Sequence, residues 1–260
     1  MEYFHWGIDP VLLHLGPLQI RWYGVLFVGG LIIGFHIMRW VYKREGKDDS
    51  TLDDLLVYLI VGIIVGARLA HTLIYEPDYF LAHPIEILYV WKGGLASHGG
   101  LIGALIATYI YCKKYNLNFE WVVSRMTISG ALVATFIRIG NFFNSEILGE
   151  KTSVAWGVVF DRVDKFSRHP VQLYEAFSYL IIFFIMLTLY LKLPFEKSTK
   201  VLGGLFLILV FGVRFVLEFF KTRQADYVIS SLSVGQLLSI PFIVFGAIWL
   251  IWGLKSLKKA

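Results

Sequence analysis

Apolar residues in this chain fall in long continuous runs rather than in strict alternation with polar ones. An α-helix needs about 20 such residues to cross a bilayer. Seven runs meet that need, at about 18–41, 52–75, 95–112, 121–136, 171–193, 201–220 and 234–254. The fourth is the weakest, because Arg125 and Ser129 interrupt it. The pattern predicts an all-α polytopic membrane protein with seven transmembrane helices. Residues 1–260 form a single integral membrane domain in this reading. Its longest connection, 141–169, is expected to make a small extracytoplasmic head between helices 4 and 5, since long connections tend to serve function.

Composition agrees. The 260 residues are 57% hydrophobic and 17% charged, with a mean hydropathy of +0.66, whereas soluble domains carry about 25% charged residues. The net charge of +5 resides in connections between apolar runs, where lysine and arginine set topology. No basic block with interleaved aromatics sits in a polar domain, so no nucleic acid partner is expected. Arg39, Lys43, Arg44 and Lys47 place the first connection in the cytoplasm. Lys113 and Lys114, then Lys192, Lys197 and Lys200, do the same for the third and fifth, and Lys255, Lys258 and Lys259 for the tail. The acidic, aromatic connection 76–91 suits the outer face. The N-terminus is then outside and the C-terminus cytoplasmic. The 141–169 connection is basic (Lys151, Arg162, Lys165, Arg168) yet falls outside. Cys112 is the only cysteine, so no disulfide framework or cysteine metal cluster is expected. The first residues lack a basic n-region and a small-residue cleavage site, so no cleavable signal peptide is expected.

On this topology the unusual polar residues fall at one depth, near the outer headgroups. Tyr23 opens the first helix, Arg68 lies in the outer third of the second, and His98 opens the third. Arg138 closes the fourth. Gln172 and Glu175 open the fifth, Arg214 and Glu218 lie in the outer third of the sixth, and Gln236 opens the seventh. Odd and even helices run oppositely, so a shared depth is not a product of spacing. Charged groups within the membrane tend to face a protein interior or a polar cavity. Three arginines left unpaired there would repel one another, which implies an anionic ligand. A phospholipid phosphate suits the arginine fork.

Structural roles compete with these readings. Arg214 and Glu218 stand one helical turn apart and suit a plain ion pair, and Arg68 could snorkel to the interface. His98 lies in a glycine-rich stretch, Gly93–Gly100, where structural and functional roles are both open. The pairs Gly30/Gly34, Gly62/Gly66 and Gly99/Gly103 let helices approach closely. Other chemistries are thin: there is no H-E-x-x-H, P-loop or G-x-S-x-G. Ser97 beside His98 does not by itself build a nucleophile–base pair. Glu76, Asp78 and Glu86 have no metal-ligand spacing. The remaining histidines, His5, His14, His36, His71, His83 and His169, are scattered.

The stretch Arg138-Ile-Gly-Asn-Phe-Phe-Asn-Ser-Glu-Ile-Leu-Gly149 resembles the signature R-x-G-N-F-x-N-x-E-x-x-G of bacterial prolipoprotein diacylglyceryl transferases. Arg21-Trp-Tyr-Gly24 and Gly66-Ala-Arg-Leu69 resemble further blocks of that family. So do Tyr79–Pro84, Trp91–Gly103, Arg168-His-Pro-Val-Gln-Leu-Tyr-Glu-Ala176, Gly212–Phe220 and Ser233–Ser239. Together they cover nearly the whole chain in order. The chain departs from the family at Ile137, where glycine is usual, and at Ser124, Ile128 and Ala131, where an aspartate and prolines are usual. A straighter fourth helix, packed differently on its neighbours, is expected from these.

The resemblance implies transfer of the diacylglyceryl group of phosphatidylglycerol to the lipobox cysteine thiol in the signal peptide of a preprolipoprotein, leaving a thioether and glycerol phosphate. It implies a bacterial cytoplasmic (inner) membrane protein among membrane lipids, with no metal and no soluble cofactor. The thiol must lose a proton, which His98 suits, with Tyr23 as the second candidate. Arg138 and Arg214 are expected to bind the phosphate and stabilise the leaving oxygen. Asn141, Asn144 and Glu146 would orient Arg138 or the glycerol hydroxyls. Gly149, Arg68, Glu218, Gln172 and Gln236 complete the expected substrate site. Cys112 lies near the cytoplasmic end of its helix, far from that level. The alternative is a non-catalytic phospholipid-binding or lipid-transport membrane protein using the same arginines. An anion transporter is a third, with no paired interrupted helices to support it.

Overall fold

The computed structural model of this chain describes residues 3–16, 18–222 and 232–258, without the side chains of Leu18, Lys92, Ser97 and Lys258. Lys259 of the basic tail lies outside the described residues, as do the side chains of Lys258 and Ser97. Eight α-helices alternate with short irregular segments among the described residues. They are α1 (Trp22–Arg44), α2 (Leu52–Ala70), α3 (Pro77–Ala82), α4 (Ser97–Lys114), α5 (Phe119–Asn144), α6 (Val171–Lys192), α7 (Phe195–Leu217) and α8 (Val234–Lys258). Six of the apolar segments are long and apolar enough to cross a membrane, which fits a multi-pass membrane protein. The run expected at 95–112 is present as α4. With 18 residues and polar pairs at both ends, it is not among the six.

The chain is mostly helical, as expected. Five short strands accompany the helices: β1 (Phe4–Trp6), β2 (Val11–Leu15), β3 (Leu18–Arg21), β4 (Val158–Phe160) and β5 (Ser167–Arg168). The hairpin β2–β3 takes the residues expected to start the first span, which begins instead at Trp22. Helix α5 also runs on through Asn144, so half the signature is helical.

The chain divides into two compact units, Met1–Met38 with Ser124–Ala260, and Arg39–Val123. In the first unit β1 pairs parallel to β4, and β4 pairs antiparallel to β5. Phe142, Val158 and Phe160 form a small core, with Trp6 and Leu148 packed on it. The Trp6 indole donates to the Phe142 carbonyl at 3.1 Å, and His5 Nδ1 meets Asp161 Oδ1 at 2.7 Å. The N-terminal residues thus help to build the 141–169 segment. Beside that core, Arg168 donates to Asp164 at 2.5 Å and holds the Asp164 carboxyl below the usual carboxylate range.

The polar interruption expected in the fourth apolar run is accommodated within α5. Arg125 is fully buried and donates to Ser124 Oγ, Thr199 Oγ1 and the Phe195 carbonyl. The turn from α6 to α7 is thereby tied to α5. Ser124, Ile128 and Ala131 are all buried in this one continuous helix. Gly30 and Gly34 on α1 lie against Phe136 and Val133, a close approach of the small-residue type.

In the second unit α2 and α4 cross at glycines. A Cβ on Gly66 would collide with the Gly99 carbonyl and come within 2.9 Å of Gly103 Cα, and one on Gly103 would collide with the Gly62 carbonyl. Arg68 then organises the connection that follows. Its Nε donates to the Ile87 carbonyl at 2.8 Å, Nη1 to Gly93 at 2.7 Å and Gly94 at 3.3 Å, and Nη2 to Glu86 at 2.5 Å. Its guanidinium also lies 4.9 Å from the centre of the Phe80 ring. Burial of an arginine is tolerable when its donors are satisfied in this way.

Two measurements test this packing. Gly66→Leu should lose at least about 1–3 kcal/mol of unfolding free energy through overpacking. Thermal melting reads that loss, while Gly100→Ala, whose nearest new neighbour would be 3.5 Å away, should melt at or above the parent. Arg68→Lys should speed amide exchange across residues 83–94 about tenfold or more, since lysine lacks the fork needed for these carbonyls. The interiors of α2 and α4 should keep their exchange rates.

Candidate functional site

The signature is built by the way α5 ends. Ser145 adopts φ +55°, its N–H bonds the Phe142 carbonyl, and the Glu146 N–H bonds the Asn141 carbonyl. These two bonds with a left-handed residue between them are the Schellman arrangement. Glycine usually fills that position, and here a serine does. Ile147 also has φ +55°, which is costly for a β-branched residue. Glu146 therefore sits between two left-handed residues, and its carboxylate turns back onto the helix end. Asn141 Nδ2 donates to its Oε2 and Asn144 Nδ2 to its Oε1, each at 3.2 Å. Arg138 Nη1 in turn donates to Asn141 Oδ1 at 3.2 Å.

Helix α6 brings the other half. Gln172 and Glu175 are fully buried and three residues apart, so they share a face. Gln172 Nε2 donates to the Glu146 carbonyl at 2.6 Å, pinning the strained turn. Glu175 Oε2 lies 3.0 Å from Arg138 Nε without forming an aligned hydrogen bond, so the attraction is mainly Coulombic. Tyr179, one turn further on, feels the charges of Glu175, Arg138 and Arg214 together. Arg138 and Arg214 are thus both within electrostatic range of one side chain. Arg214 Nε is buried with no hydrogen-bond partner among the described residues. Tyr23 packs on Gly140 and lies within electrostatic range of Glu146 and Arg138.

Several expected residues have other work. The Arg214–Glu218 ion pair is not formed among the described residues. Glu218 pairs instead with Lys221 at 3.4 Å and lies against Gly235. Gln236 accepts the Ser233 N–H at 2.9 Å while Ser233 Oγ accepts the Gln236 N–H at 3.2 Å, a reciprocal cap at the start of α8. Its Nε2 also donates to the Phe215 carbonyl at 3.3 Å. Gly149 is a backbone crossing: its carbonyl accepts from Arg168 and Thr222, and a Cβ there would strike the His169 carbonyl. Arg68 and His98 belong to the second unit, where Arg68 is spent on carbonyls and His98 is exposed near the start of α4.

Arg68 and Arg138 are not unpaired charges: backbone carbonyls satisfy the first and Glu175 faces the second. In the first unit Arg138 and Lys221 both meet Glu175, and Lys221 also meets Glu218, so these two cations already have carboxylate partners. Lys221 was not among the residues singled out from the sequence. It sits past the apolar run and looks like an ordinary flanking lysine. Its Nζ lies 2.9 Å from the buried Glu175 Oε1.

The family model for prolipoprotein diacylglyceryl transferase matches residues 10–252. A protein of Tolumonas auensis is 51% identical over 96% of this chain and 98% of its own length. One of Chloroherpeton thalassium is 47% identical over 98% and 96%, and one of Bacteroides fragilis is 39% identical over 93% and 92%. All three are named phosphatidylglycerol–prolipoprotein diacylglyceryl transferase. The chain belongs to the prolipoprotein diacylglyceryl transferase family.

Proposed function

We propose that this chain transfers the diacylglyceryl group of phosphatidylglycerol to the lipobox cysteine thiol of preprolipoproteins. The names of its relatives support the reaction and both substrates. The single observation that carries the site is Arg214 Nε, buried and unpartnered among the described residues, with Arg138 and Arg214 both in electrostatic range of Tyr179. A phosphate diester supplies the acceptor oxygens such a group lacks.

In this reading the thiolate sulfur attacks the glyceryl carbon that bears the phosphate. The C–S bond forms, the C–O bond breaks, and the electron pair leaves on the phosphate oxygen as glycerol phosphate. Arg138 and Arg214 neutralise that oxygen as charge develops. Asn141, Asn144 and Glu146 hold Arg138 or the glycerol hydroxyls, and Gln172 fixes the turn that presents them. Gly149, Glu218 and Gln236 hold the ends of the helices involved, and Arg68 holds the connection before α4. The thiol proton goes to His98, imidazole being a common general base, or to Tyr23.

The same reading treats residues 1–260 as one integral membrane domain in the bacterial inner membrane. It takes α4 as a seventh, short span of about 27 Å. Residues 141–169, which carry β4 and β5, are the extracytoplasmic head, the N-terminus is outside and the C-terminus cytoplasmic.

Thioether formation on a lipobox peptide in phosphatidylglycerol nanodiscs tests the proposal. Arg138→Ala should lose about 100-fold or more in turnover, and full activity would remove the phosphate role. His98→Gln should lose about 100-fold or more if it takes the proton. Undiminished turnover there, with a loss in Tyr23→Phe, moves that role to Tyr23. A lipid carrier would leave both lipid and peptide chemically unchanged.

A further inference from the structure

Lys221 is the cation that the sequence patterns pass over. Its ammonium reaches Glu175 Oε1 at 2.9 Å and Glu218 Oε2 at 3.4 Å. Glu175 is fully buried and also faces Arg138, so one carboxylate without water is shared by two cations. The backbone fixes where Lys221 stands. The Glu150 N–H bonds the Phe220 carbonyl at 2.8 Å, the Thr222 N–H bonds the Leu148 carbonyl at 3.1 Å, and Gly149 bridges to Lys221. The last residue of the signature thus holds the segment after α7 in place.

We propose that Lys221 is a positioning residue that keeps Glu175 neutralised, so that Arg138 remains available to the lipid phosphate. The proposal rests on the phosphate role assigned above to Arg138. A buried carboxylate needs a counter-ion. If Arg138 were the only one, carboxylate and phosphate would compete for the same fork. With Lys221 on the other oxygen, Glu175 stays paired when Arg138 turns to an anionic ligand. Lys221 therefore acts through Glu175, without touching the reacting atoms.

The test compares the full chain with Lys221→Met, Lys221→Arg and the double variant Lys221→Met/Glu175→Gln in nanodiscs of graded phosphatidylglycerol content. Lys221→Met should raise KM for the lipid about tenfold or more while kcat moves less than about threefold, the pattern of a ground-state binding effect. Lys221→Arg should stay within about threefold of the parent. The double variant should return toward the parent KM, because no carboxylate then competes, and the two substitutions should be strongly non-additive.

An unchanged KM in Lys221→Met overturns the proposal. So does an equal rise in the single and double variants, which would mean that Lys221 meets the lipid directly. Melting the same four proteins with and without phosphatidylglycerol reads the effect without turnover. The lipid-induced shift should shrink in Lys221→Met and recover in the double variant, and an unaltered shift counts against the role. A parent chain that forms no thioether sinks the transferase reading, whereas an active parent with an indifferent Lys221 sinks only this inference.

Discussion

A carboxylate sealed from water must find its counter-charges inside the protein, and Glu175 finds them on two different segments. Arg138 comes from the end of α5 and Lys221 from the residues just past α7. Losing either partner of a buried pair leaves a charge that costs about 3–5 kcal/mol. This ties two segments that are remote in sequence to one point on α6. Gln172, on the same face, extends the tie to the backbone of the strained turn. Low local dielectric strengthens such a network and penalises any gap in it. This arrangement fixes which way Arg138 faces.

The strain at Ser145 and Ile147 belongs to the same account. A helix that simply stopped would leave its last carbonyls unsatisfied. The Schellman closure satisfies two of them and turns Glu146 back toward Asn141 and Asn144. Phe142 points the other way, into the small core with Val158 and Phe160, where Trp6 covers it. The signature is thus half site and half core. Its amides and carboxylate hold the arginine, and its aromatics anchor the turn to the sheet that β1 completes.

Arg68 and Arg138 show why residue type alone does not assign a role. Both are arginines at the ends of apolar helices, in stretches that resemble the same family. Arg68 is satisfied by backbone carbonyls of Glu86, Ile87, Gly93 and Gly94, so its work is to hold a loop. Arg138 has a shared carboxylate and a side-chain amide and is 18% exposed. The difference is made by where distant carbonyls and carboxylates fall, which spacing along one helix does not encode.

The sequence by itself determined what depends on local pattern. Runs of apolar residues set the membrane-crossing helices, and the order of the motif blocks set the family, with Arg138, Asn141, Asn144 and Glu146 in one stretch. Tertiary structure decided what depends on partners far along the chain. The end of α5 at Asn144 was hidden because serine rather than glycine takes the left-handed position. The pairing of β1 with β4 joins residues more than 150 apart, beyond any periodicity. The recruitment of Lys221 follows from Glu175, a buried charge on another helix. A helix repeats every few residues and leaves its mark in composition, whereas an ion pair across helices leaves none until the chain is folded.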